Sequence, residues 1–100
     1  MTAVTIPRDE AHDFEFKIDG SRKIHRIPLA AYLPYPFMRR MLTVDSDQSF
    51  ALALLHEFCP ELEEDDKFTL GSAMAVYKAW QEASMEDGAQ AGESSASSGR

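Results

Sequence analysis

Cysteine is scarce in this sequence, since the 100 residues include a single one, Cys59. One cysteine excludes an internal disulfide framework and is typical of a protein in a reducing cytoplasm. Long apolar runs are missing as well, because no stretch approaches the roughly 18 apolar residues that a membrane-spanning helix needs. The N-terminal residues show no basic start followed by an apolar core, so we expect no secretory signal and no contact with a membrane.

Basic residues are also few, with ten Lys and Arg against seventeen Asp and Glu and a formal net charge of −7. Residues 44–100 hold three basic and twelve acidic residues, whereas residues 1–43 have a small positive excess. Phosphate binding needs clustered Lys and Arg, so this balance argues against a nucleic-acid partner. The acidic half either solubilises the chain alone or also keeps a bound apolar partner in solution.

The residue types that carry catalysis or bind metals form no recognisable motif here. His12, His25 and His56 are scattered, and the only metal-like spacing joins His56 to Cys59. The acidic run 61–66 lacks the alternating ligands and the central glycine of an EF-hand. A nucleophile motif and a Gly-rich phosphate cradle are both missing. We therefore expect no metal, no cofactor and no enzymatic activity.

The N-terminal part of the sequence predicts a β-hairpin. Three apolar residues alternate with charged ones, as in a strand with one buried face: Phe14, Phe16 and Ile18. Asp19-Gly20 is a turn signal, and residues 22–27 would form the return strand. A three-residue loop would place Ile24 opposite Phe16. Because two strands alone are marginal in water, a helix should cover their apolar side.

Proline residues divide the next segment into two short helical pieces. Pro28 ends the hairpin, and residues 29–33 predict a short helical turn. The Pro34-Tyr35-Pro36 corner interrupts it, and residues 37–42 predict a second short helix.

Two longer amphipathic helices are expected after residue 45. The first should be capped by Ser46 or Asp47 and should end at Cys59-Pro60, before a solvated acidic loop. Its apolar stripe comprises Phe50, Ala51, Leu52, Leu54, Leu55 and Phe58. The second should be capped by Thr69 and run to about Ser84. Its stripe comprises Leu70, Ala73, Met74, Tyr77 and Trp80.

These elements predict a small α+β fold, mainly α, in which an N-terminal hairpin is followed by three to four short helices. Residues 1–11 are expected to form a flexible leader and residues 12–84 a single domain. Residues 85–100 are acidic and rich in Ser, Gly and Ala, with no aromatic or β-branched side chain. Such a segment buries too little apolar area to offset its ordering entropy, so we expect a disordered tail.

Aromatic, methionine and arginine side chains concentrate around the Pro-Tyr-Pro corner. Aromatic residues and arginine are enriched in interface cores, so we expect a partner-binding face here. Its residues are Tyr32, Leu33, Tyr35, Phe37, Met38, Arg39, Arg40 and Met41. Two alternatives remain: Phe37, Met38 and Met41 could instead fill the core, and the arginines could be ordinary surface charge. Stacking of a single-stranded nucleic acid on this face is disfavoured by the net charge.

The order of features resembles the short form of the tail assembly chaperones of long-tailed actinobacteriophages. A strand and turn over Phe14–Gly20 is followed by a Pro-rich stretch that leads to Arg39-Arg40, then by an amphipathic helix and an acidic linker. The most specific match is the helix end Ala79–Ser84 together with the Ser-rich stretch Gly92–Ser98. The likeness covers roughly residues 12–98.

The resemblance implies a non-catalytic assembly factor that binds the tape measure protein and keeps it soluble while tail tube subunits polymerise around it. Members of this family commonly make a longer, frameshifted product, which is thought to recruit the tail tube protein. Self-association of the chain is left open. The expected location is the host bacterial cytoplasm, with the protein absent from the mature virion. The predicted partner-binding face would then bind the tape measure, and methionine suits such a site because it adapts to different surfaces.

Two other functions stay open at this point. The first is a structural head–tail connector or minor tail protein of the same phage, which would be found in purified virions. The second is a small nucleic-acid-related regulator that uses the basic face, whose binding would be sensitive to salt.

Overall fold

The structure, a computed structural model, describes residues 3–6 and 12–98, with side chains described as far as residue 87. The chain starts with two antiparallel strands, β1 (Asp13–Phe16) and β2 (His25–Pro28). Three α-helices follow within these residues: α1 (Tyr35–Arg40), α2 (Asp47–Phe58) and α3 (Leu70–Ser98). Short 3-10 helices cover Ala30–Tyr32, Met41–Thr43 and Pro60–Glu64. The predicted fold class, mainly α with an N-terminal hairpin, is confirmed. None of the described helices combines the length and apolarity needed to cross a bilayer.

The register of the hairpin differs from the predicted one. Phe16 pairs with His25 rather than with Ile24, so that His25 is buried and Ile24 is exposed. The strands stop at Phe16 and resume at His25, which leaves an eight-residue connection in place of the predicted three-residue loop. A shift of one residue moves every side chain to the other face of a strand. The prediction for Ile24 was therefore wrong, and the ring of His25 packs 5.2 Å from that of Phe16.

The short helix α1 begins and ends two residues earlier than the predicted helix over residues 37–42. Its first residue is Tyr35, and a proline is tolerated in its first turn. The N–H group that proline lacks would have no partner within the helix at that position. Pro36 occupies that position, and the N–H of Met38 donates to the carbonyl of Pro34 at 3.1 Å. The Pro-Tyr-Pro segment is thus the start of a helix as well as a corner.

Side-chain caps set the starts of α2 and α3. The backbone N–H of Ser49 donates to the hydroxyl of Ser46 at 3.1 Å, so the cap of α2 is Ser46 rather than Asp47. The N–H of Ser72 donates to the hydroxyl of Thr69 at 3.1 Å in the same way. Both caps satisfy N–H groups that have no partner within the helix. The predicted end of α2 at Cys59 is confirmed.

The apolar stripes contain two errors of prediction. Leu52 and Leu70, expected in the core, are each nearly half exposed, whereas Val76 is buried. The acidic stretch expected to be a solvated loop contains the 3-10 helix Pro60–Glu64, whose Leu62 is buried.

Helix α3 continues past the predicted end at Ser84 and reaches Ser98. No proline interrupts residues 85–98, and Ala, Glu and Gln are good helix formers. The side chains beyond residue 87 and residues 99–100 lie outside the described part, so the predicted disorder of the tail stays a prediction. The predicted leader lies outside it too, apart from residues 3–6.

The core lies where the inner face of the hairpin meets α1, α2 and α3. Its most buried large side chains are Ile27, Phe37 and Leu54. Trp80 joins α3 to the hairpin, because its indole N–H donates to the carbonyl of Pro28 at 2.8 Å. The hairpin is thus covered on its apolar side by helices, as its marginal stability requires.

Candidate protein-binding surfaces

Helix α1 has two faces of different character. Phe37 and Met41 are four residues apart and point inward, where Phe37 is only 2% exposed. The Phe37 ring makes edge contacts with Phe50 at 6.1 Å and with Phe58 at 5.4 Å between centroids. The opposite side carries exposed apolar side chains and one exposed cation: Tyr35, Met38, Arg39 and Leu42. We refer to these four residues as the outward face of α1.

The eight residues of the predicted partner-binding face are therefore not all on one surface. Phe37 is part of the core, and Leu33 and Met41 pack against it. Phe37 and Met41 therefore take the alternative role left open for them, which is to fill the core. Tyr32 is half-buried, and its ring lies 4.8 Å from the ring of His12. Only Tyr35, Met38 and the two arginines are exposed. The structure adds Leu42, which was not in the predicted set.

The two arginines have different environments. Arg40 Nη2 donates to Glu57 Oε1 at 3.2 Å, and its guanidinium lies 5.7 Å from the centroid of the Phe37 ring. The Arg40 side chain is thereby positioned against α2. Arg39 lies four residues after Tyr35, on the same side of the helix. Arg39 is consequently the cation that borders the outward face.

A second apolar surface, which the sequence did not predict, lies between α2 and α3. It is a groove of about 660 Å³. Its floor consists of buried side chains, and its walls carry the two exposed leucines, Leu52 and Leu70, together with half-buried Phe68. The residues of floor and walls are Gln48, Leu52, Ala53, Leu55, His56, Cys59, Leu62, Glu63, Asp65, Phe68, Thr69, Leu70 and Ala73. We call it the α2–α3 groove.

The signal for this groove was present in the pattern of α2. Phe50, Leu54 and Phe58 form one stripe, and Leu52 and Leu55 extend the apolar arc to a different side of the helix. An arc that wide cannot be covered by α1 alone. The core assignment is correct for Leu55 and wrong for Leu52, because periodicity does not show how many neighbouring elements a helix has.

A cluster of three potential metal ligands joins β2 to the 3-10 helix Pro60–Glu64. One ligand atom from each of His25, Cys59 and Glu61 lies within 4.8 Å of the others. The metal-like spacing in the sequence joined Cys59 to His56 instead, but His56 is exposed and is hydrogen-bonded to Glu63.

Hydrogen bonds within the chain account for this cluster. His25 Nδ1 donates to Glu61 Oε2 at 2.6 Å, and the thiol of Cys59 donates to the carbonyl of Arg26 at 3.6 Å. Burial raises the pKa of the Cys59 thiol to about 11, and the nearby Glu61 carboxylate adds to this rise. A bond from its own backbone N–H lowers the pKa of the Glu61 carboxyl, and the His25 contact acts in the same direction. These internal hydrogen bonds give the three side chains a structural role between β2 and the 3-10 helix.

No protein-family model matches this chain, and no curated protein and no solved structure is significantly similar to it.

Proposed function

We propose that this protein is a non-catalytic phage tail assembly chaperone that binds the tape measure protein. The observation that carries the proposal is the outward face of α1. Tyr35, Met38 and Leu42 expose apolar surface on a chain whose net charge is −7. Their spacing of three and four residues places them on one side of α1 and of the 3-10 helix Met41–Thr43 that continues it. Exposed apolar side chains that share one side of a helix are a typical feature of interaction sites.

The chemistry of this face suits a helical client with an apolar side. Methionine and tyrosine contribute contact area without fixing one complementary shape, because Met38 is unbranched and Tyr35 has a polar end that tolerates water. Arg39 borders the face and can pair with acidic groups that flank the client's apolar stripe. Since the inward residues Phe37 and Met41 hold α1 against the core, the face is presented on a fixed support.

The acidic exterior supplies the second property that a chaperone needs. Like-charged surfaces repel, so client segments coated with an acidic protein stay apart and in solution. In this proposal the chain acts in the host bacterial cytoplasm and is absent from the mature virion. The tail tube protein would be recruited through a longer, frameshifted product.

Capture of the tape measure protein should depend on the outward face of α1. We expect Met38→Asp combined with Leu42→Asp to weaken capture at least about tenfold, because the two charges would be desolvated in the interface. The matched control is Met85→Asp, since Met85 is 72% exposed and Leu42 is 78% exposed. The measurement is a pull-down of the tape measure protein with each purified variant.

The control should capture as much client as the unmodified chain does. Circular dichroism must show that every variant is folded. Equal capture by the double variant and by the unmodified chain would remove this face from the proposed binding site.

A further inference from the structure

We infer that the α2–α3 groove binds an amphipathic α-helix whose apolar stripe is flanked by Lys or Arg residues. The groove follows α2 from Gln48 to Cys59, a row of groove residues spaced by three or four positions. At 1.5 Å per residue this row is about 16 Å long, or roughly three helical turns. A helical polypeptide segment of three turns matches this length.

The walls of the groove select a helix over an extended segment. They are formed by α2, by the start of α3 and by the 3-10 helix Pro60–Glu64. The turn over residues 65–69 completes the walls, and neither it nor these helices is a β-strand, so the walls contribute side chains and no strand edge. A segment entering the groove must therefore satisfy its own backbone N–H and C=O groups, which an α-helix does.

The apolar part of the groove matches the stripe of an amphipathic helix. Leu52 and Leu70 keep nearly half of their surface exposed, and Phe68 is half-buried, whereas Leu55 and Leu62 close the floor. Burial of apolar surface stabilises a complex in proportion to the apolar area removed from water. Leu52 and Leu70, the exposed leucines of the walls, would thus lose the most apolar exposure when a ligand binds.

The charge of the groove rim determines which charged residues are favoured beside the apolar stripe of the ligand. Glu63 and Asp65 are the acidic residues of the groove, and the exposed Glu64 and Asp66 adjoin them together with one cation, Lys67, so the rim stays net negative. The only other ionisable groove residues are His56, which is hydrogen-bonded to Glu63, and the buried Cys59 thiol. A negative rim favours positive flanks and disfavours acidic ones.

The groove is separate from the outward face of α1. On α2, Phe50 and Phe58 contact Phe37 of α1, whereas Leu52 and Leu55 line the groove on a different side of the helix. The inference therefore does not depend on the tape measure protein being the client. It gives the chain a second surface that can hold another helix, or another part of the same helix.

Designed peptides test the inference directly. The first is a helical peptide of roughly 18 residues with a leucine stripe flanked by lysines, labelled for fluorescence anisotropy. In the second, glutamates replace the lysines, and the third has the composition of the first in an order that destroys the stripe. We expect the first to bind at least about tenfold more tightly than either of the others.

Protein variants locate the binding. Leu52→Asp and Leu70→Asp should each weaken binding of the first peptide about tenfold. The matched control is Ile24→Asp in the hairpin connection, because Ile24 is 49% exposed and Leu70 is 48% exposed. The control should bind within about twofold of the unmodified chain.

Three results would overturn the inference. The first is binding of the glutamate or the disordered-stripe peptide as tight as that of the first peptide. The second is an equal loss of binding in the Ile24 control. The third is self-association of the free chain that Leu52→Asp abolishes, seen by sedimentation, because the groove would then be covered by a second copy. Failure of the unmodified chain to capture the tape measure protein, with intact binding of the first peptide, would count against the proposed function alone.

Discussion

Replacement of Phe37 by alanine should destabilise the fold by about 3–5 kcal/mol, the usual cost of deleting a buried phenylalanine. Phe37 is almost fully buried, and it makes edge contacts with the rings of Phe50 and Phe58. These contacts attach α1 to α2. Since a core this small supplies roughly 3–5 kcal/mol in total, most of the molecules should unfold at 25 °C.

Urea unfolding followed by far-UV circular dichroism measures the effect. The control is Tyr35→Ala in the same helix, where the side chain is exposed and the change should stay within about 0.5 kcal/mol. A loss below about 1 kcal/mol for Phe37→Ala would show that α1 does not pack on α2 as described.

Replacement of Trp80 by alanine should have an effect of similar size, about 3–5 kcal/mol, and it should also loosen the hairpin. The Trp80 ring stacks on Tyr77 at 5.7 Å, and its N–H donates to the carbonyl of Pro28, the last residue of β2. The packing of α3 and its attachment to the hairpin thus both depend on the side chain of Trp80. Trp80→Phe keeps most of the apolar contact but leaves that carbonyl unpaired, which should cost about 1–3 kcal/mol.

Hydrogen exchange of the β1 and β2 amides, combined with urea unfolding, measures both effects. Lys78→Ala is the control on the same helix, since Lys78 is exposed. Hairpin amides that stay as protected in Trp80→Phe as in the unmodified chain would contradict the role of the Pro28 hydrogen bond.

Local signals in the sequence predicted the elements of this fold but not all of their contacts. The caps Ser46 and Thr69 act within three residues, so their positions could be assigned before the structure. The alternation through Phe14 and Phe16 predicted a strand for the same reason. The pairing of Phe16 with His25 depends on the length of the connection and on the contact of His25 with Glu61, which sequence periodicity does not encode.

For the candidate binding surfaces too, local sequence signals predicted the region but not the tertiary contacts. Composition identified the region around α1, whereas the burial of Phe37 depends on where Phe50 and Phe58 lie. The α2–α3 groove was missed because Leu52 and Leu70 look like core residues in a helical stripe. Their exposure follows from the space between two helices and a 3-10 helix, which is a tertiary property.

The soluble fraction of the tape measure protein tests the central proposal most directly. On the proposal that a phage encodes this chain, the tape measure protein of that phage would be expressed alone, with the unmodified chain, and with the Met38→Asp and Leu42→Asp double variant. The proposal predicts that the tape measure protein is insoluble alone, becomes soluble with the unmodified chain, and stays insoluble with the double variant. A tape measure protein that remains as insoluble with the unmodified chain as without it would contradict the proposal.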